Sequence, residues 1–183
     1  MKTIFNTKNV DAMSQPLFLG KDLGVQRFDI IKYPVFTNLD SKMMEFFWRP
    51  QEVELKKDRS DFKEMSDNEK FIFTSNLKYQ TMLDSVQGRG PCLAFLPFVS
   101  LPEIEGCIVT WDFIETIHSR SYTYIIKNLY SQPSDVFDTI IEDEKIKNRA
   151  ASVTKTYDDL IKMGYQWTLT PDKVDMYELK KKL

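Results

Sequence analysis

One histidine and two cysteines in 183 residues leave little room for several kinds of chemistry. Cys92 and Cys107 lack CxxC spacing, and no second histidine exists to help them hold zinc in a tetrahedral site. They read as reduced thiols in a cytoplasmic protein. No apolar run approaches the roughly 20 residues needed to span a bilayer. The opening stretch, MKTIFNTKNVDAMSQP, lacks the charged, apolar and small-residue regions of a signal peptide. Charge is nearly balanced, with 25 Lys and Arg against 27 Asp and Glu, so the basic excess of a nucleic-acid-binding domain is missing. Neither a membrane nor a nucleic acid is expected as a partner. Internal repeats and low-complexity segments are absent as well.

What the chain does have is helical periodicity, and a chain of this length can bury roughly 70% of its unfolded surface. Residues 1–33 are polar and irregular apart from PLFLG and read as an N-terminal arm; residues 34–183 read as a helical domain. Pro34 suits a first helical turn, with Phe36, Leu39, Met43, Phe46 and Phe47 as the apolar face and Pro50 as the stop. SDNE, Ser66 to Glu69, is a capping box opening a run that lasts until Gly88 and Gly90. Pro91 to Leu101 suggests a short buried helix. Pro102 opens a long element ending near Leu129. Helical runs are expected at Ser134–Glu142 and Asp143–Met163, then an extended or looped YQWTLTPDKVDM, then a last helical turn in YELKKKL. The fold class is all-α.

The long element from Pro102 carries an unusual seam. Ile108, Trp111, Glu115, His118, Tyr122, Ile125 and Leu129 alternate three and four apart, so they lie along one face of a helix. The middle three are a carboxylate, an imidazole and a phenol where a packing seam wants apolar residues. Burying Glu115 unpaired is costly, and a metal ion reverses that cost. Glu-x-x-His sets a carboxylate and an imidazole one turn apart on one face, within reach of one cation. The same short pattern also fits a surface glutamate beside a satisfied core histidine. On the preceding helix, Phe73, Leu77, Gln80 and Asp84 share a face, with Asp84 where an apolar residue is expected. A solvent-facing aspartate is the alternative there, though acids are disfavoured at helix C-termini. Two helices with misplaced acids point to a shared metal site inside a bundle.

These segments resemble the small, radical-generating subunit of class I ribonucleotide reductase. The matching stretches are FFWRP (Phe46 to Pro50), FTSNLKYQTMLDSVQGR (Phe73 to Arg89) and ETIHSRSYT (Glu115 to Thr123). The resemblance implies a ferritin-like helical bundle around a di-iron centre. It also implies Asp84 as a terminal ligand, Glu115 as the bridging carboxylate and His118 as an imidazole ligand. Tyr122 matches the tyrosine oxidised to a stable radical after reaction with dioxygen, and Trp48 the tryptophan on the electron route. The implied activity is ribonucleoside-diphosphate reduction for deoxyribonucleotide synthesis, with the large catalytic subunit and a second copy of the chain as partners. Hard oxygens with one imidazole per metal suit iron, or manganese, better than zinc. Ile114, Ile125, Phe113 and Phe73 are the expected apolar surround of Tyr122.

The sequence departs from the family's pattern. A second Glu-x-x-His cannot exist in a chain with one histidine, so only about half of the metal ligands are present. The chain reads as the N-terminal part of the bundle, lacking its C-terminal helices. It would then be a piece completed by a separate C-terminal segment, a non-catalytic remnant, or a helical interaction module. Uncovered apolar seams would make the isolated chain oligomeric or poorly folded. Ile114 stands where the family usually has serine, and Tyr124 where it often has histidine; neither change removes a ligand. Arg49, Arg59, Arg89 and Arg120 show no grouping in the sequence.

Overall fold

The computed structural model describes residues 4–21 and 24–183. It is all-α: among the described residues there is no strand, only an isolated antiparallel bridge between Phe18 and Val99. In chain order the helices are α1 (Pro34–Glu45), α2 (Lys56–Glu64), α3 (Asp67–Gln87), α4 (Gly90–Phe95), α5 (Pro102–Leu129), α6 (Ser134–Phe137), α7 (Glu144–Leu169) and α8 (Met176–Lys182). No helix among the described residues is long and apolar enough to cross a membrane. Two compact units form. One contains the chain up to Phe46, Arg89–Asp112 and Lys155–Leu183; the other contains Phe47–Gly88 and Phe113–Thr154.

In the first unit, Ala94, Phe98, Leu160, Val174 and Leu179 form one buried cluster, and Leu101, Ile104 and Ile108 form another. Here the sequence reading needs its main correction. α7 does not stop near Met163 but runs to Leu169, so Tyr165 to Leu169 are helical. Gly164 is buried mid-helix, where a Cβ would lie 3.1 Å from Pro97 Cγ. Its smallness serves the close approach of a neighbouring turn and does not end the helix. α8 starts where Asp175 Oδ1 accepts the amides of Tyr177 (3.0 Å) and Glu178 (3.1 Å). It is anchored by fully buried Leu179 and by Lys182 Nζ, 2.7 Å from Asp159 Oδ2. α1 starts at Pro34 as expected but buries no residue. Of its expected apolar face, Phe36 packs against the Leu101–Ile108 cluster, while Leu39 and Phe46 are exposed.

In the second unit, Leu77 of α3, Ile126 of α5 and Val136 of α6 form the buried core, joined by Phe73, Tyr122, Ile125, Tyr130 and Phe137. The capping box of α3 is formed: Glu69 N donates to Ser66 Oγ at 3.4 Å and Ser66 N to Glu69 Oε2 at 2.8 Å. α2 had no apolar period to betray it. Phe62 is its one buried residue, and its ring lies 4.9 Å from that of Tyr130. α6 is a single turn, shorter than the Ser134–Glu142 run expected. Asp143 then caps α7, accepting the amides of Lys145 (2.9 Å) and Ile146 (3.2 Å) through Oδ1. Phe71 and Ile72 of α3 are largely exposed, as is Phe47.

Two outcomes follow from this packing. Leu179→Ala should lower unfolding free energy by about 3 kcal/mol, read from the urea midpoint, because a fully buried leucine leaves a cavity. Burial, helped by neighbouring Asp112, pushes the Cys92 thiol up to about 12 from the ordinary 9.0. In the folded chain at pH 8 it should therefore alkylate roughly a thousandfold more slowly than an unhindered thiol, followed by mass spectrometry.

Candidate metal centre

α3 ends with Gly88 as its cap, whose N–H donates to Asp84 O at 2.7 Å. That places Asp84 on the last turn, facing α5. A Cβ at Gly88 would lie 3.1 Å from Asp84 O, tight against the helix's own last turn, and 3.7 Å from Glu115 Cβ, an ordinary packing distance. On α5, Glu115 and His118 stand one turn apart and Tyr122 one turn further on. The seam read from the sequence therefore meets Asp84 directly.

His118 Nδ1 lies 3.0 Å from Glu115 Oε2 and 3.6 Å from Asp84 Oδ2. One ligand atom from each of Asp84, Glu115 and His118 falls within 4.8 Å of the others, and this is the one such cluster among the described residues. The glutamate side chain is 14% exposed, the aspartate 19% and the histidine 33%. Neither acid is a solvated surface group. Tyr122 Oη donates to Asp84 Oδ2 at 2.8 Å. Burial raises the Asp84 carboxyl above the ordinary aspartate range, opposed by the Tyr122 hydrogen bond and reinforced by the charge of Glu115. Burial and the hydrogen bond to Asp84 raise the Tyr122 phenol well above its ordinary range, so it is a neutral phenol at physiological pH.

Two carboxylates and one imidazole nitrogen, half-buried and mutually close, match the donor preferences of iron or manganese. Without a cation the two acids repel each other, so the charge that disfavours the cluster alone favours a bound divalent ion. Trp48 sits beside this cluster, with ring centroids 5.4 Å apart between Trp48 and His118, and its Nε1 donates to Ser121 Oγ at 3.1 Å.

Other expectations resolve differently. Phe73 and Ile125 join Tyr122 in the core, but Phe113 is 48% exposed and stacks on Phe47 with centroids 6.0 Å apart. It is no part of the phenol's surround. Tyr124 turns its hydroxyl to Val53 O at 3.2 Å, on another face of α5. Arg49 and Arg120, ungrouped in the sequence, line one groove together with Lys127 and Trp48, and Arg49 Nε is 2.7 Å from Glu52 Oε1. Gly88 ends α3 as expected, whereas Ser121 escaped sequence reasoning, since a serine carries no spacing signal of its own.

Because burial favours neutral Asp84 in the folded chain, the metal-free protein loses that stabilisation as pH rises through the raised pKa. Ferrous iron without oxygen, or manganese, at about ten times Kd should raise the melting temperature at pH 7 by roughly 3–6 °C. Asp84→Asn should lose most of that rise while melting no lower than wild type without metal. Circular dichroism melts read both.

The whole chain also has relatives. A family model described as "Ribonucleotide reductase, small chain" matches residues 27–179. The ribonucleoside-diphosphate reductase subunit beta of Buchnera aphidicola subsp. Baizongia pistaciae is 48% identical, with the match covering 99% of this chain and 51% of that one. The ribonucleoside-diphosphate reductase 1 subunit beta of Escherichia coli O157:H7 is 47% identical over 99% of this chain and 50% of its own. Among solved structures, the ribonucleotide reductase R2 subunit from Clostridium botulinum superposes with a TM-score of 0.79 at 26% identity, covering 88% of this chain and 51% of that one. The chain thus spans about half the length of the curated relatives it matches. On this match across most of its length, and with a ferritin-like helical fold, the chain belongs to the ribonucleotide reductase small-chain family.

Proposed function

We propose that this chain is the part of a ribonucleoside-diphosphate reductase small subunit that carries the radical tyrosine and the first half of a dimetal site. The carrying observation is that the three expected ligand residues form one cluster with the Tyr122 hydroxyl 2.8 Å from Asp84. Asp84, Glu115 and His118 would hold iron, or manganese, with Glu115 as the bridging carboxylate. When bound, the metals would supply one-electron oxidising power in the presence of dioxygen. The residues do the rest. Tyr122 loses one electron and one proton to become a neutral phenoxyl, and Asp84 Oδ2 already holds that proton's hydrogen bond. Phe73 and Ile125 shield the ring from solvent. Trp48, whose ring lies against that of His118, would pass an electron toward the site.

With one histidine among these 183 residues, the second imidazole ligand lies outside them in this reading. The remaining ligands then come from a separate C-terminal segment corresponding to the rest of the relatives' length. The assembled subunit is a homodimer that works in the cytoplasm with the large catalytic subunit, supplying deoxyribonucleotides for DNA replication.

Ferrous iron and dioxygen should be added to the chain alone and to the chain mixed with the remaining half of the E. coli relative. A tyrosyl-radical electron paramagnetic resonance signal is expected only in the mixture, and it should vanish in Tyr122→Phe. A signal that survives Tyr122→Phe would move the radical to another tyrosine. No signal in either sample would favour a non-catalytic remnant or interaction module.

A further inference from the structure

The described residues bury three polar side chains, Gln15 (6% exposed), Ser100 (2%) and Glu103 (2%). Burying such groups is unfavourable unless they are hydrogen-bonded. All three spend their bonds on one stretch of the N-terminal arm. Glu103 Oε1, in the first turn of α5, accepts the amides of Lys32 (3.1 Å) and Tyr33 (3.0 Å). Ser100 Oγ accepts the amide of Gly20 at 2.6 Å, and Gln15 Oε1 that of Lys21 at 2.9 Å. Lys32 Nζ closes the loop by donating to Gln15 O at 2.5 Å.

Between these anchor points the described residues from Gly24 to Ile30 are exposed. Under the anchors, Leu17 and Phe18 cover the Leu101–Ile108 cluster, and Phe18 and Leu19 cover the Ala94–Leu179 cluster. Leu19 sits at φ 66, a left-handed conformation that costs a leucine and is relieved on release. A Cβ at Gly20 would fall 2.8 Å from Ser100 Oγ and 2.9 Å from Gln15 Oε1, so that anchor closes only around a glycine.

We infer that residues 15–21 and 24–33 act as a strap that opens and closes as one piece over the apolar surface of the first unit, with Glu103 as its latch. Two amides on one buried carboxylate oxygen make the latch a single point of failure. Glu103 Oε2 is buried with no hydrogen-bond partner among the described residues, so the carboxylate is committed to the strap. Ser100 Oγ secures the far end together with two main-chain bonds, from Leu19 N to Phe98 O at 2.7 Å and from Ser100 N to Leu17 O at 3.1 Å, and the two ends are coupled through Gln15 and Lys32. Opening is then a partial, cooperative event well below global unfolding.

Hydrogen exchange on the full chain, read by mass spectrometry with fragments resolving residues 17–21, 32–33 and α3, tests this. In Glu103→Ala, exchange should quicken roughly tenfold or more at both ends of the strap together, with α3 unchanged, and trypsin should cut sooner after Arg27 and Lys32. Glu103→Gln keeps the acceptor oxygen and should exchange like wild type. Ser100→Ala weakens the opposite anchor by deleting the bond from Gly20, so it should also quicken exchange at Lys32 and Tyr33. This second variant carries the test should Glu103→Ala fail to fold. Loosening confined to Gly20 in Ser100→Ala, or to Lys32 and Tyr33 in Glu103→Ala, would overturn the strap and leave two unrelated local caps.

Discussion

Two carboxylates from different helices converge on one imidazole nitrogen, and the second unit is arranged around that convergence. Glu115 Oε2 and Asp84 Oδ2 both lie within 3.6 Å of His118 Nδ1. Like charges brought together in a half-buried place disfavour each other, and the last turn of α3 is the wrong end of a helix for an acid. Something must compensate. Tyr122 donates its hydroxyl to Asp84. The Leu77, Ile126 and Val136 core fixes α3 and α5 so that the acids cannot drift apart. The strain of the arrangement and its capacity to bind a cation have the same origin.

The second unit also carries open apolar groups. Phe71 and Ile72 on α3, and the stacked pair Phe47 and Phe113, stay largely open to solvent. Large apolar side chains left exposed are what further polypeptide would cover. That fits the proposal that a segment corresponding to the rest of the relatives' length supplies the missing ligands.

Much of this was legible in the sequence because the signals were local and periodic. The capping box at Ser66 and the prolines at 34 and 102 set helix starts that the structure reproduces. The alternating seam on α5 placed Glu115, His118 and Tyr122 on one face. Asp84 was recognised because it broke an apolar pattern. What stayed hidden depends on neighbours distant in sequence. Gly164 looked like a helix end, yet Pro97 explains it as a packing contact inside a helix. The short helix from Lys56 carries almost no apolar residues, so no period betrayed it. Ser121 beside Trp48, and Glu103 beneath residues 32 and 33, are tertiary partners that no spacing rule could pair.

Asp84 Oδ2 deserves a closer physical reading, because one oxygen serves two masters. It accepts the Tyr122 hydroxyl and also faces the histidine nitrogen, so its electron density is shared between a phenol and any cation that binds. Whatever binding free energy the phenol's hydrogen bond adds to or takes from the cation, the cation returns to the phenol in equal measure, since linkage between sites is reciprocal. The phenol would therefore also report on the site: its titration would shift with the binding of any ion that Asp84 helps to hold.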